Sequence, residues 1–145
     1  MIEILTEIDI ARPAARTWRV LMDFPAYPRW NPVIRSIAGI ARPGETLRVL
    51  FHPPGALPVW FRPTVSVASA ESEFRWTASL LAPRIFNGDH YFKLLPIDGE
   101  RCRLVQGEVF RGTLAPLMYR VLANYNRSGF VVMNQALKAH LEAQG

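Results

Sequence analysis

The stretch GDHYFKLLPIDGERCRLVQGEVFRG, Gly88–Gly112, decides the fold, because its charges leave one workable pairing of two strands. Asp89 and Lys93 belong in water, which turns His90, Phe92 and Leu94 inward. On the partner segment Arg101, Arg103 and Arg111 take the outside and turn Cys102, Leu104, Gln106, Glu108 and Phe110 inward. The two inward faces coincide when Leu94 opposes Leu104 and Phe92 opposes Gln106, since a one-residue slip would send every side chain to the other face. His90 then falls opposite Glu108. A two-residue loop at Asp98-Gly99 would instead set His90 across from Gly107, on mismatched faces, so the pattern prefers an odd-length loop such as Asp98-Gly99-Glu100.

Outward from this hairpin the period changes twice. Upstream, from Val33 to Gly112, apolar residues alternate with polar ones. Leu47, Val49 and Phe51 oppose Arg48 and His52, Val59, Phe61 and Val65 oppose Arg62 and Ser66, and Phe74, Trp76 and Leu80 oppose Arg75, Thr77 and Ser79. Turn residues at Gly39, Arg42-Pro43-Gly44, Pro53-Pro54-Gly55, Ala70-Glu71, Asn87-Gly88 and Asp98-Gly99 divide this region into antiparallel strands. Ile2, Ile4, Ile8 and Ile10 alternate with Glu3, Glu7 and Asp9 in a first strand. Pro13 and the spacing of Trp18, Leu21 and Met22 predict a short helix, and the proline-rich run Ala26–Pro32 predicts a second helical turn. Downstream, Leu114, Met118, Val121, Leu122, Tyr125, Val132, Met133, Ala136, Leu137 and Leu141 form a helical stripe, with a bend expected at Ser128-Gly129. The result is an α+β chain with two short helices after its first strand and one long C-terminal helix.

Composition narrows the functional classes. The 145 residues suit a single domain, 1–145, and 50% hydrophobic against 20% charged residues excludes a disordered chain. Charges or prolines interrupt every apolar run before it reaches the roughly 20 residues of a spanning helix, and the N-terminal segment lacks the basic and apolar regions of a signal peptide. A cytoplasmic location without stable membrane insertion is expected. Cys102 is the only cysteine and cannot form an internal disulfide. The net charge of +5 raises the question of nucleic acid, but the arginines are scattered singly and the only lysines are Lys93 and Lys138, so nucleic-acid binding is not expected.

Several segments together resemble the START-like superfamily, also called SRPBCC or Bet v-type, and in particular its bacterial polyketide-cyclase-like branch. They are Ile10–Ala14 through Trp18, Asp23-Phe24 with Tyr27, Trp30-Asn31-Pro32, Trp76, Gly88-Asp89-His90, Glu108–Gly112 and Met133–Lys138, and they span nearly the whole chain. The resemblance implies a helix-grip fold, in which a curved antiparallel sheet wraps around the C-terminal helix and encloses a cavity. Relatives of this kind use the cavity for lipids, sterols, polyketides and plant hormones.

In that geometry Phe51, Phe61, Trp76, Phe92 and Phe110 would form one wall of the cavity, and Leu122, Asn126, Phe130 and Met133 the other. His90, Gln106 and Glu108 supply its polar groups. A carboxylate beside an imidazole favours the protonated ring. Such a pair can stabilise the hairpin, anchor a ligand, or act as acid and base, and the sequence leaves these roles open. His52 reads as solvated and His140 as complementing a helix C-terminus. No His/Cys cluster has metal-ligand spacing, no glycine-rich phosphate loop or dinucleotide fingerprint occurs, and Ser128 lacks a nucleophile-elbow setting, so no metal and no cofactor are expected. The expected partner is a small hydrophobic molecule (a lipid, isoprenoid or polyketide-like compound) that the protein binds or transports. A cofactor-free cyclase or dehydratase using Glu108 and His90, and a protein-interaction domain with a closed pocket, are the alternatives.

Overall fold

The computed structural model describes residues 2–144. Strand β1 (Ile2–Ile10) leads into helix α1 (Ala14–Met22), a 3₁₀ turn (Phe24–Ala26) and the single-turn helix α2 (Tyr27–Trp30). Then come β2 (Ile34–Ala38), β3 (Arg48–Phe51), β4 (Val59–Phe61), β5 (Thr64–Ser69), β6 (Glu73–Leu80), β7 (Phe86–Pro96), β8 (Cys102–Arg111) and helix α3 (Ala115–Glu142). The main sheet has the order β1-β8-β7-β6-β5, and β2-β3-β4 form a smaller sheet joined to it by a bridge between Thr46 and Thr64. All pairings are antiparallel, and α3 packs across β1 and β8. This is the helix-grip α+β fold.

The β7–β8 register sets Leu94 opposite Leu104, Phe92 opposite Gln106 and His90 opposite Glu108. The amide of Ile97 donates to the Arg101 carbonyl, closing a three-residue loop over Asp98-Gly99-Glu100. The opposite end of β7 departs from expectation. Asn87-Gly88 makes no turn; it lies inside the strand opposite Arg111 and Phe110. The chain reverses earlier, at 81–85, where Leu81 takes a left-handed φ of 69°.

The inward faces of both sheets meet α1, α2 and α3 in a core containing Leu21, Phe24, Tyr27, Trp30, Val49, Phe74, Phe92, Leu104, Met133 and Leu137. Asn31 explains the Trp30-Asn31-Pro32 corner, because its Oδ1 accepts from the amides of Val33 and Ile34 and starts β2. Cys102 is buried beside the Thr17 hydroxyl, and burial raises its thiol, so it stays protonated core. Helix α3 is continuous through Gly129, whose missing side chain lets Pro53 and Val33 approach instead of marking a bend. Val121 and Tyr125, placed on the apolar stripe by periodicity, are exposed: beyond the centre of the sheet the helix has less protein to cover it.

Alternation correctly turns Asp89 to the outer face, but that face is not open water there. Arg75 holds Asp89 Oδ2 at 2.6 Å, Arg111 approaches at 3.4 Å and Thr77 donates at 3.1 Å, which together bury the carboxylate.

Gly107 marks the tightest crossing in the main sheet. A Cβ there would strike the Ile4 carbonyl oxygen and the Tyr91 hydroxyl, whereas one at Gly99 would meet nothing within 4 Å. Gly107→Ala should therefore cost about 1–3 kcal/mol in urea unfolding, while Gly99→Ala should stay within about 0.5 kcal/mol of wild type.

Candidate functional site

Between the two sheets and the first half of α3 lies an open cavity of about 290 Å³. β3 and β4 contribute Phe51, Val59 and Phe61, β6 contributes Trp76, Ala78, Ser79 and Leu80, and β7 contributes Phe86, Gly88 and His90. Glu108 from β8 and Leu122 and Asn126 from α3 complete the wall. Most of this surface is aromatic or aliphatic, with polar groups gathered at His90, Glu108 and Asn126.

Seven of the twelve residues expected at the site lie here: Phe51, Phe61, Trp76, His90, Glu108, Leu122 and Asn126. Phe92, Gln106, Phe110, Phe130 and Met133 do not line the cavity. They are fully buried next to it: the interior is filled on the far side of His90, where Phe92, Gln106 and Met133 lie, Phe130 packs edge-on to the His90 ring, and Phe110, opposite Gly88, is covered by Phe86 and Tyr119. Phe92 and Met133 belong to the main core, and Phe110 and Phe130 to a second cluster with Ile4 and Phe86. Six lining residues were not expected at the site: Val59, Ala78, Ser79, Leu80, Phe86 and Gly88. Period two from Trp76 and from His90 reaches Ala78, Leu80, Gly88 and Phe86, and from Phe61 it reaches Val59, whereas Ser79 is out of phase. Gly88 matters most, since a Cβ there would sit 2.8 Å from Glu108 Oε2.

His90 and Glu108 face each other in the ladder without bonding. Glu108 Oε1 accepts instead from Asn126 Nδ2 at 2.8 Å, and His90 Nε2 lies 3.1 Å from Gln106 Oε1. The expected carboxylate–imidazolium pair is therefore absent, and each ring or carboxyl has a neutral amide for a partner.

A chain of hydrogen bonds settles the histidine tautomer. The Thr6 hydroxyl donates to the Gln106 carbonyl oxygen at 2.7 Å, so its oxygen is left to accept from Asn134 Nδ2 at 2.9 Å. Asn134 Oδ1 then accepts from Gln106 Nε2 at 2.6 Å, which points Gln106 Oε1 at His90. An amide oxygen accepts only, so the imidazole proton sits on Nε2. Nδ1 keeps its lone pair, has no bond from a described side chain, and is not among the sealed unpartnered atoms of the interior. It offers the cavity an acceptor.

Burial sets both protonation states. Enclosed by Trp76, Phe92 and Phe130, with ring centroids 4.8 to 4.9 Å away, His90 is pushed down to about 3 and stays neutral. Glu108 lies deep in the protein, yet part of its surface reaches the cavity. Burial pushes its carboxyl up to about 7 against the opposing hydrogen bond from Asn126. Near neutral pH the cavity thus holds a neutral imidazole acceptor and a carboxyl poised between its two forms. Among the described residues no group of three or more His, Cys, Asp or Glu is placed to hold a metal ion.

The family described as "Polyketide cyclase / dehydrase and lipid transport" matches residues 1–142. The chain belongs to this family. Among solved structures it is similar to the Zhui aromatase/cyclase from Streptomyces sp. R1128, with 18% identity, a TM-score of 0.77, and coverage of 99% of this chain and 94% of that one. It also resembles a START superfamily protein from Mycobacterium smegmatis (19% identity, TM-score 0.71, 99% of both chains). Norcoclaurine synthase from Thalictrum flavum, in complex with dopamine and hydroxybenzaldehyde, matches at 14% identity and a TM-score of 0.73, over 99% of this chain and 88% of that one. At such identities the likeness is one of fold. No curated protein matches by sequence.

The shifted carboxyl links this site to stability. Between pH 4.5 and about 7 folded Glu108 keeps a proton that the unfolded chain has released, so its contribution is lost as pH rises through that window. His90 works the other way between about 3 and 6.5, where the unfolded chain takes up a proton that the folded ring refuses. Glu108→Gln removes only the first effect. The variant should gain about 1–3 kcal/mol on wild type between pH 4.5 and 8 in paired urea titrations, the lower end reflecting water in the cavity.

Proposed function

We propose that the protein binds or carries a small, mainly apolar molecule in this cavity, as a soluble cytoplasmic factor. The observation that carries the reading is an open aromatic cavity whose polar groups converge on one side, the usual make-up of a small-molecule site. Its 290 Å³ is about twice the engineered cavity that admits benzene. One or two fused rings or a short isoprenoid fit inside, and a longer chain has to extend through the mouth. Apolar burial supplies the affinity at roughly 25 cal/mol per Å² before association costs, while Nδ1 of His90 and the Glu108 carboxyl orient the polar end. The open mouth, with Val59 and Leu80 both lining the cavity and reaching solvent, speaks against a closed interaction domain.

Native mass spectrometry of the purified protein should find a co-purifying small molecule. Ala78→Phe, which places a ring in the cavity, should abolish uptake of that compound and of apolar dyes while the thermal midpoint holds. Unchanged uptake by the folded variant would refute binding at this cavity.

A specific observation favours a second reading, cofactor-free cyclase or dehydratase chemistry. A carboxyl near 7 that touches the cavity can give and take a proton at working pH. On a verified substrate, Glu108→Gln should lower kcat at least about a hundredfold, within the usual span for a general acid or base, and leave substrate affinity nearly intact. A variant with full turnover would reduce Glu108 to an orienting contact.

A further inference from the structure

Each segment that frames the cavity mouth ends in apolar residues the fold does not cover. Leu57 is 84% exposed two residues before the wall residue Val59, and Leu81 is 81% exposed directly after the wall residue Leu80. On α3, Leu117 and Val121 are exposed one turn apart, next to the wall residue Leu122. Tyr125 extends this ridge to Gly55, 3.6 Å from where a Cβ would stand, and so reaches the β3–β4 loop. Leu81 also holds a left-handed φ, a conformation a leucine rarely adopts, while presenting its side chain to solvent.

Charge is distributed unevenly around this rim. The chain carries 17 Arg or Lys against 12 Asp or Glu. Of the acids nearest the cavity, Glu108 lies in its wall and Asp89 is held by Arg75 and Arg111. Glu3, on the β1 end nearest the mouth, faces outward and accepts from the Tyr91 hydroxyl, and Asp98 and Glu100 are on the hairpin loop at the far end of β7. Arg62, Arg84 and Arg120 are exposed and have no ion pair among the described residues.

We propose that this rim docks the protein reversibly on an anionic lipid bilayer, cavity mouth against the membrane. Leucines from three segments can enter the headgroup boundary, where binding scales with apolar area, and unpaired arginines gain about 1 kcal/mol each beside an anionic surface. Among the described residues no helix is long and apolar enough to span, and the proposed contact is peripheral. Charge complementarity selects the bilayer over a second copy of this chain, since two copies would bring their basic rims together. The docking stands apart from what the cavity holds; it would let an apolar molecule pass between bilayer and protein without crossing water.

The test is co-sedimentation with vesicles of phosphatidylcholine alone or with about one-third phosphatidylglycerol, at low and high salt. Binding is expected on the anionic vesicles, with loss in high salt as charges are screened. Arg84→Glu with Arg120→Glu should weaken it at least about 25-fold, and Leu57→Asp with Leu81→Asp by a similar factor, both with unchanged circular dichroism. Absence of binding to anionic vesicles, or equal binding by the folded leucine variant, overturns the proposal. So does a concentration-dependent dimer in sedimentation velocity that the leucine variant abolishes, which would assign the rim to a second copy.

Discussion

The side chain of Gln106 ties the interior together. It accepts from His90 on β7, donates to Asn134 on α3, and through Asn134 reaches Thr6 on β1, whose hydroxyl returns to the Gln106 carbonyl. Four elements are thereby joined at one buried point. Such a network is favourable only when every member is satisfied, because an orphaned amide in this interior would cost several times what a bond returns. The circuit is closed, and it fixes where α3 crosses the sheet. On one side of the crossing Phe92, Met133 and Leu137 fill the core, and on the other the sheet and helix enclose the cavity.

The same circuit sets the chemistry of the cavity. Because a backbone carbonyl starts the chain, the imidazole is left with its proton facing Gln106 and its lone pair unused. The ring is packed between aromatic faces, so adding a proton would bury a charge beside no carboxylate partner, and it stays neutral. Glu108 stands outside the circuit with a single amide donor and reaches the cavity, which is why its acidity is weakened but not abolished. Two residues opposite each other in one ladder thus acquire different electrical characters from their second neighbours. That difference gives an otherwise apolar cavity a direction.

The fold was legible in the sequence where charge and periodicity acted together. Lys93 and the arginines at 101, 103 and 111 fixed the β7–β8 register, and the register alone set His90 across from Glu108. What the two residues bond to was not legible, because alternation identifies a face and says nothing of diagonal partners or of the helix above. Thr6 was passed over although it stands in phase with Ile4 and Ile8, and no pattern links it to Asn134, 128 residues away. Asn87-Gly88 carried a strong local turn signal that lost to tertiary pairing, since the strand needs a residue without a side chain where the Glu108 carboxyl lies. Asp89 faced the expected way, but Arg75 and Arg111 had already claimed that water. Phe92, Phe110, Phe130 and Met133 were rightly inward; the extent of the cavity along α3 depends on packing that one sequence does not display.

Family membership accounts for the scaffold, and the residues on it account for the site. The polar chemistry of the cavity depends on one electrostatic statement: the Glu108 carboxyl, held by Asn126 in a cavity with a neutral histidine, titrates near neutrality. A pH titration of the Glu108 side-chain carbon by ¹³C NMR measures this directly. The account predicts a midpoint near 7. A midpoint at the ordinary value of 4.5 would contradict it, since the carboxyl would then be solvated and ionised throughout the neutral range.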